Sequence, residues 1–226
     1  MFQQPLNQTR KPRDTTVPED PVVLVVDDDA LVRDGLSELI MSIGLRAVCF
    51  ASTQELLASG DLDRPGCLIL DVRLPGSSGL DLQHRLTSSG NEKPIIFLTG
   101  HGDIPMTVQA MKAGAVDFLI KPVRDQALLD AITVGMERDR SQRETAEIAK
   151  RNGERIELLT PRELGVLAEV VRGRLNKQIA YDLSISEATV KLHRSNAMRK
   201  LEVSTVGALL RVWETLPERQ RAALAR

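Results

Sequence analysis

Apolar positions along the first part of the chain follow two alternating patterns. Short, continuous apolar runs predict five strands, over residues 22–26, 45–49, 67–70, 95–98 and 116–120. Between these runs, apolar residues recur at helical spacing near residues 29–43, 53–59, 79–88, 104–113 and 124–138. Strands that alternate with helices indicate βαβ units, and continuous apolar strands are typical of a parallel sheet covered on both faces. The pattern therefore predicts an α/β fold with a doubly wound, five-stranded parallel sheet.

From residue 157 onward the strand pattern disappears, and four short helices are predicted. Thr160 and Glu163 form a capping box that starts the first helix, which ends at Gly173. The second helix covers residues 176–183, and the third begins after Ser186 and extends to about residue 201. The fourth begins at Ser204 and extends to about residue 216. These elements predict a compact all-α domain over residues 157–218.

The remaining segments read as a linker and two tails. Residues 139–156 are charged and almost without apolar residues, which indicates a linker that can continue the preceding helix until Asn152-Gly153 ends it. Residues 1–20 are polar, contain three prolines and lack the apolar region of a signal peptide, so we expect a disordered tail. Residues 219–226 form a C-terminal tail, and the first domain covers residues 21–138.

Composition and charge agree with two globular modules. The 226 residues are 42% hydrophobic and 27% charged, which excludes a disordered or fibrous class. The net charge is −1 for the whole chain, but residues 157–226 carry 12 Lys and Arg against 8 Asp and Glu. The back part is therefore basic, at +4, and the front part acidic, at −5. This asymmetry predicts different partners for the two modules.

Two features predict a cytoplasmic protein with no membrane partner. No apolar run approaches the roughly 18 residues that span a bilayer. The two cysteines, Cys49 and Cys67, occur in apolar runs and are expected to be buried, reduced thiols. His101 is expected to be a loop residue.

Polar side chains follow four of the five predicted strands, at the point where each strand ends. They are Asp27, Asp28 and Asp29 after the first strand, Asp71 after the third, Thr99 after the fourth and Lys121 after the fifth. A single acid at a strand end is usually a turn or cap residue. Open α/β sheets, however, bind ligands at this edge, and clustered carboxylates suit Mg²⁺ together with a phosphate. A lysine beside them offsets charge and can pair with phosphate oxygens.

These positions, in this order, resemble the receiver domain of bacterial two-component response regulators over about residues 21–138. The resemblance implies a flavodoxin-like fold and a phosphoryl group carried by Asp71. It also implies that Mg²⁺ binds to Asp27, Asp28, Asp71 and the backbone carbonyl of Arg73. Asp29 is then a bystander or the start of a helix.

The resemblance also implies a switch. Lys121 pairs with a phosphoryl oxygen, and the hydroxyl of Thr99 moves to bond the phosphoryl group. Phe118, three residues before the lysine, then rotates inward, although a buried phenylalanine is also a common core residue. Residues 104–114 and 116–120 would then form a dimer surface.

The third helix of the basic domain carries a polar face suited to DNA. At about 100° per residue, Val190, Ala197 and Leu201 point inward. Lys191, Leu192, Ser195 and Arg199 project from the opposite side, where they can read bases in a major groove. Phosphate contacts are expected from Lys177, Thr189, His193, Arg194 and Lys200, although a basic helix face is often only solvated and His193 can be structural.

This region resembles the LuxR-type helix-turn-helix output domain over roughly residues 159–216. The resemblance rests on LTPRE, on the N-K-x-I-A pattern that begins at Asn176, and on S-E-x-T-V-K-x-H from Ser186 to His193. Together with TGHGDIPM and MKAGAVDF in the receiver, it is similar to the FixJ subgroup. Asn176 joins the candidate DNA contacts on this basis.

The resemblance implies a transcription factor that a partner histidine kinase phosphorylates on Asp71. The receivers then form a homodimer, and the output domains bind double-stranded promoter DNA and activate transcription, with RNA polymerase as a further partner. Release of a masked output domain is an alternative to dimerisation. Two other functions are alternatives: a constitutive DNA-binding regulator, and a Mg²⁺-dependent phosphatase. The second acid that such a phosphatase needs is missing from Asp71-Val72-Arg73, so catalysis beyond the receiver's own phosphoryl transfer and slow dephosphorylation is not expected.

Overall fold

The computed structural model describes residues 20–100 and 102–216, and its chain divides into two compact units between Arg140 and Ser141. The predicted tails, apart from Asp20, and the expectation for His101 lie outside the described residues. Each unit has its own apolar core.

The first unit is built on a five-stranded sheet. Its strands are β1 (Val22–Val26), β2 (Arg46–Phe50), β3 (Gly66–Leu70), β6 (Ile95–Thr99) and β7 (Asp117–Ile120). They lie in the order β2-β1-β3-β6-β7, and every neighbouring pair is parallel. This is the flavodoxin-like order, and it confirms the predicted doubly wound parallel sheet. All carboxyl ends therefore meet at one edge.

Helices cover both faces of this sheet. They are α1 (Ala30–Ser42), α2 (Thr53–Ser59), α3 (Gly79–Ser88), α4 (Ile104–Lys112) and α5 (Asp125–Glu157). Along β1, Leu24 belongs to one apolar cluster, whereas Val23 and Val25 belong to the other. Alternate residues of a strand point to opposite faces, so a continuously apolar strand contributes to both cores.

Three local features differ from the predictions. A short 3₁₀ helix (Asp61–Asp63) precedes β3, and a small hairpin of β4 (Arg73–Leu74) and β5 (Ser77–Ser78) follows it. The expectation that Asn152-Gly153 ends a helix was wrong, because α5 continues to Glu157. The Asn152 amide is buried and donates to Thr215 Oγ1 at 3.0 Å, so a tertiary contact overrides the local tendency to end the helix.

The second unit packs four further helices around a single core. They are α6 (Pro161–Val171), α7 (Asn176–Asp182), α8 (Glu187–Lys200) and α9 (Val206–Glu214). The predicted caps Thr160 and Ser186 are present, and Glu163 completes the capping box. The last helix was predicted to begin at Ser204, but it begins two residues later at Val206, because the Thr205 side chain caps it by accepting from Ala208 N at 3.1 Å.

The buried residues of α8 include Val190 and Ala197, and Leu201 follows directly after it. They form one cluster with residues of α6 and α9, so one side of α8 is fixed and the opposite side is exposed. Within the described ranges, no helix is both long enough and apolar enough to cross a membrane.

Candidate functional site

Two buried carboxylates lie side by side where β1 and β3 end. Asp27 is 2% exposed and Asp71 is 8% exposed. The backbone N–H of Asp71 donates to the carbonyl of Val26 at 2.9 Å, which extends the β1–β3 pairing by one residue. Asp28 follows directly and is exposed, and one carboxylate oxygen of each of the three acids lies within 4.8 Å of the others.

Lys121, directly after the edge strand β7, enters the same site. Its ammonium donates to Asp27 Oδ2 and to Asp71 Oδ2, the latter at 2.9 Å. Its backbone N–H donates to the carbonyl of Thr99 at 2.8 Å, and Thr99 is fully buried at the end of β6. The structure therefore brings together the acids, the hydroxyl-bearing residue and the lysine predicted from the strand ends.

Burial and charge set the ionisation of this site. Burial raises the pKa of Asp27, and the hydrogen bond from Lys121 only partly opposes this effect. Burial lowers the pKa of Lys121, but its hydrogen bonds to Asp27 and Asp71 outweigh burial, and the net shift of that pKa is upward. The ammonium is therefore firmly protonated and offsets part of the negative charge around it.

Backbone hydrogen bonds orient the carboxylates. Asp27 Oδ1 accepts from the N–H of Asp29 at 3.0 Å, and Asp71 Oδ1 accepts from the N–H of Arg73 at 3.1 Å. The Arg33 guanidinium donates to the carbonyls of Asp27 and Asp28 at 2.7 and 3.0 Å. Asp29 itself caps α1 by accepting from Leu31 N. Arg73, whose backbone carbonyl is predicted to bind Mg²⁺, thus lies next to Asp71.

The three acids fit a hard divalent cation. Their ligand atoms are all carboxylate oxygens, the type that Mg²⁺ prefers, and the mixture of buried Asp27 and Asp71 with exposed Asp28 leaves the group open on one side. Such an opening leaves room for water and a phosphate, so this edge of the sheet can hold a cation and a phosphoryl group together.

Two glycines that are not among the predicted site residues shape the site. A Cβ at Gly79, the first residue of α3, would lie 2.3 Å from the carbonyl oxygen of Asp71. A Cβ at Gly102 would lie 2.8 Å from Cε1 of Phe118. Only a residue without a side chain allows both close approaches. No local pattern in the sequence marks either glycine.

Phe118 lies in β7 and is half-buried. Its ring contacts that of Phe97, with centroids 5.8 Å apart and an angle of 39° between the ring planes. The ring also packs against the apolar cluster that includes Phe97 and Ala110. The candidate switch residue therefore connects the core with the loop that contains Gly102.

A second candidate site lies on the exposed side of α8. An open groove of about 440 Å³ is lined by Asn176, Lys191, Arg194, Ser195, Met198, Arg199, Val203 and Ser204. Five of these residues were predicted to contact DNA. Leu192 and Lys177 are also exposed, whereas Thr189 and His193 are half-buried. The groove combines bases and hydroxyls, a composition suited to a nucleic acid.

Several predicted contacts are already engaged within the domain. Arg194 donates to Asn176 Oδ1 at 3.2 Å, and the N–H of Thr189 donates to the capping hydroxyl of Ser186 at 3.0 Å. Lys200 lies apart from the groove, because its ammonium donates to Glu163 Oε2 at 2.7 Å. The expected contact of Lys200 with a DNA phosphate stays a prediction.

Comparisons with known proteins agree with both sites. Residues 23–133 match the family described as response regulator receiver domain, and residues 157–212 match bacterial regulatory proteins, luxR family. Nodulation protein W of Bradyrhizobium diazoefficiens is 49% identical over 195 residues, 86% of each chain. The transcriptional regulatory protein FixJ of Azorhizobium caulinodans is 42% identical over 197 residues, 87% of this chain and 93% of that one.

The same relationship holds for solved structures. The response regulator StyR superposes with a TM-score of 0.76 and is 46% identical, covering 86% of this chain and 98% of that chain. These matches confirm the resemblance and the function of a regulator with a LuxR-type DNA-binding domain. The chain therefore belongs to the FixJ-like response regulators, the transcriptional regulators of two-component systems that join a receiver domain to a LuxR-type helix-turn-helix domain.

Proposed function

We propose that this regulator is switched by transfer of a phosphoryl group to the carboxylate of Asp71. The observation that carries the proposal is the single ammonium of Lys121 held between Asp27 and Asp71 at the carboxyl edge of the sheet. A lysine in this position can leave one carboxylate and pair with a phosphoryl oxygen bound to the other. The donor is a phosphohistidine of a partner histidine kinase, or a small acyl phosphate.

Phosphoryl transfer needs a donor whose phosphorus atom is accessible and an acceptor carboxylate that is held in the right orientation. An oxygen of Asp71 attacks the phosphorus, the bond from phosphorus to the donor atom breaks, and the electron pair of that bond leaves with the donor. Asp27, Asp28, Asp71 and the carbonyl of Arg73 would hold Mg²⁺, which would supply charge neutralisation for the transferred group. Lys121 compensates the added charge, and the N–H of Arg73 keeps Asp71 oriented.

Other elements of the receiver must change conformation in response to the new negative charge. A phosphoryl group adds about −1.5 to −2 charges and three acceptor oxygens. Thr99, buried at the end of β6, is the hydroxyl-bearing residue that the predicted set places in the receiver. A shift of Thr99 towards the phosphoryl group would leave room for Phe118 to move. We propose that the exposed face of α4 and β7, with Ile104, Val108 and Ile120, then forms the contact between two receivers.

We propose that α8 reads promoter DNA. Lys191 and Arg199 can donate to guanine, Leu192 can contact a thymine methyl group, and Ser195 is an adaptable partner. Lys177, Thr189, His193, Arg194 and Asn176 then position the domain on phosphates. Pairing of receivers raises the effective concentration of the second domain on DNA, and the bound dimer contacts RNA polymerase to activate transcription.

Intact-mass measurement tests the phosphoryl transfer. The full chain is incubated with acetyl phosphate and Mg²⁺, and the expected product carries one phosphoryl adduct. Asp71→Asn abolishes the adduct. Asp29→Asn is the matched control in the same cluster and keeps it, because asparagine also caps a helix well. An adduct that persists in Asp71→Asn would contradict the assignment.

The same samples separate a switched regulator from the two rival functions. A switched regulator binds a promoter duplex more tightly after acetyl phosphate, and Asp71→Asn loses this response. Equal affinity in all samples would instead support constitutive binding. Turnover of added phosphate esters beyond one adduct per chain would support the phosphatase.

A further inference from the structure

The ammonium of Lys200 and the carboxylate of Glu163 form an ion pair within the second unit. Lys200 is the last residue of α8, and Glu163 lies in the first turn of α6. The distance from Lys200 Nζ to Glu163 Oε2 is 2.7 Å, and Lys200 Nζ also donates to the carbonyl of Leu158 at 3.2 Å. The Glu163 side chain is only 6% exposed, whereas that of Lys200 is 33% exposed.

Glu163 Oε2 collects further donors from the start of α6. It accepts from the N–H of Thr160 at 2.8 Å and from the hydroxyl of Thr160 at 3.0 Å. A capping box needs only the first of these bonds, so the ammonium of Lys200 is an addition to the cap. The hydrogen bond from Lys200, followed by those from Thr160, lowers the pKa of Glu163 to about 2, so the carboxylate is ionised near neutral pH.

Helical geometry separates Lys200 from the DNA-facing side of α8. At about 100° per residue, nine positions place Lys200 roughly 180° from Lys191 around the helix axis. Ser195 and Arg199 lie within about 80° of Lys191 by the same measure. A side chain on the far side that is already paired with a buried carboxylate is poorly placed to contact the same groove.

Resting on the proposed role of α8 in reading DNA, we propose that Glu163 and Lys200 are positioning residues that set the rotation of α8 about its own axis. The N-terminal end of α8 is held by the Ser186 cap, and its middle by the hydrogen bond from Arg194 to Asn176. At its C-terminal end the buried Leu201 anchors α8 to the core, and the ion pair adds a second, polar restraint one residue after Arg199. Base-reading residues near that end depend on it.

The experiment compares two duplexes and four variants of the full chain. One duplex is enriched from a random-sequence pool by the acetyl-phosphate-treated wild-type chain, and the other is a scrambled sequence of equal length. The main variant is Glu163→Gln with Lys200→Met, which retains an amide for the cap and leaves no buried charge unpaired. Lys200→Arg is the conservative variant, and Lys177→Ala and Lys191→Ala are exposed controls.

A positioning role has a distinct signature. The double variant, measured below its melting temperature, loses about fivefold or more in affinity for the enriched duplex. Its affinity for the scrambled duplex and the slope of log K against log salt stay as in the wild type. Lys177→Ala, by contrast, lowers the magnitude of that slope by about 0.9, as loss of one phosphate contact requires. Lys200→Arg keeps the ion pair and therefore binds the enriched duplex with wild-type affinity.

Two results would overturn the proposal. A slope that falls in the double variant as it does in Lys177→Ala would make Lys200 a phosphate contact. A folded double variant that binds the enriched duplex as tightly as the wild type would make the ion pair purely structural. If Lys191→Ala also bound the enriched duplex normally, the proposed DNA-reading face of α8 would fail instead, so the two failures are distinguishable.

Discussion

Lys121 Nζ donates a hydrogen bond to Asp71 Oδ2 at 2.9 Å, although fifty residues separate the two in the chain. The contact exists because β3 and β7 flank β6 in a parallel sheet, so that both strands end at the same edge. The same ammonium also bonds Asp27. One lysine therefore compensates two buried acids, and this arrangement determines both the stability and the chemistry of the site.

Replacing Lys121 with methionine should destabilise the receiver. Without the ammonium, Asp27 and Asp71 remain buried beside each other and lose the cation that both hydrogen-bond. The free energy of unfolding should therefore fall by about 1–3 kcal/mol. Urea unfolding in EDTA measures this effect. Lys112→Met, at an exposed position of α4, is the matched control and should leave the free energy of unfolding nearly unchanged.

Asp27→Asn should have the opposite effect near neutral pH. Burial raises the pKa of Asp27 above its ordinary value of 3.8, so the folded protein binds the proton more tightly than the unfolded chain does. The cost of the ionised group is full above the folded pKa and disappears as the pH falls to 3.8 and below. In EDTA at pH 7 the variant should be more stable by about 1 kcal/mol.

A pH series of unfolding curves checks this sign. The gain should shrink steadily as the pH is lowered towards 3.8. A gain that instead grew in acid would show that ionised Asp27 stabilises the fold.

Gly102→Ala should act through Phe118. The added Cβ would lie 2.8 Å from Cε1 of the Phe118 ring, which forces the ring or the loop to move. Overpacking of this kind costs about 1–3 kcal/mol in the free energy of unfolding. In a Phe118→Ala background the same substitution should cost almost nothing, because the opposing ring is gone. A double-mutant cycle measures this coupling, and equal costs in both backgrounds would mean that the clash is relieved elsewhere.

Asp139→Ala should loosen the attachment of α5 to the sheet. The buried Asp139 carboxylate accepts the N–H of Gly66 at 2.8 Å, and Gly66 begins the strand that ends at Asp71. Loss of this acceptor leaves a buried N–H unsatisfied and should lower the free energy of unfolding by about 1–3 kcal/mol. Glu137→Ala, at an exposed position of the same helix, is the control. Equal denaturation midpoints for the two variants would argue against the contact.

Lys191→Ala should weaken sequence-specific DNA binding. Lys191 is exposed, and its ion pair with Glu187 across 3.2 Å is a solvated one that DNA can displace. Loss of a base contact costs about 1–3 kcal/mol and relaxes specificity at one position. Binding titrations on an enriched duplex and its single-base variants measure both effects, with Lys150→Ala in α5 as the control. An unchanged base preference would remove Lys191 from the base-reading set.

The parallel sheet and the side chains at the carboxyl ends of its strands could be predicted from the sequence. The apolar run of β1 has the predicted bounds, because a short run of consecutive β-formers is typical of a parallel strand buried on both faces. Asp27, Asp71 and Lys121 were placed together because the ends of parallel strands share an edge. The helix caps Thr160 and Ser186 were equally readable, since a cap is a contact between residues three positions apart.

Contacts between residues far apart in the chain could not be predicted from the sequence. Asn152 does not end α5, since Thr215 satisfies its amide, and Lys200 pairs with Glu163 rather than facing the groove. Gly79 and Gly102 are needed only because Asp71 and Phe118 approach them in space. No local pattern distinguishes such residues from ordinary helix or loop positions.

The sequence by itself determined the order of elements, the parallel sheet and the types of side chain at its edge, because burial patterns and strand ends are properties of short segments. Only the tertiary structure decided which ammonium pairs with which carboxylate, where the long helix ends and which glycines the packing requires. Those outcomes depend on the relative placement of groups far apart in the chain, and a buried charge or amide takes whichever partner packing brings within hydrogen-bond distance.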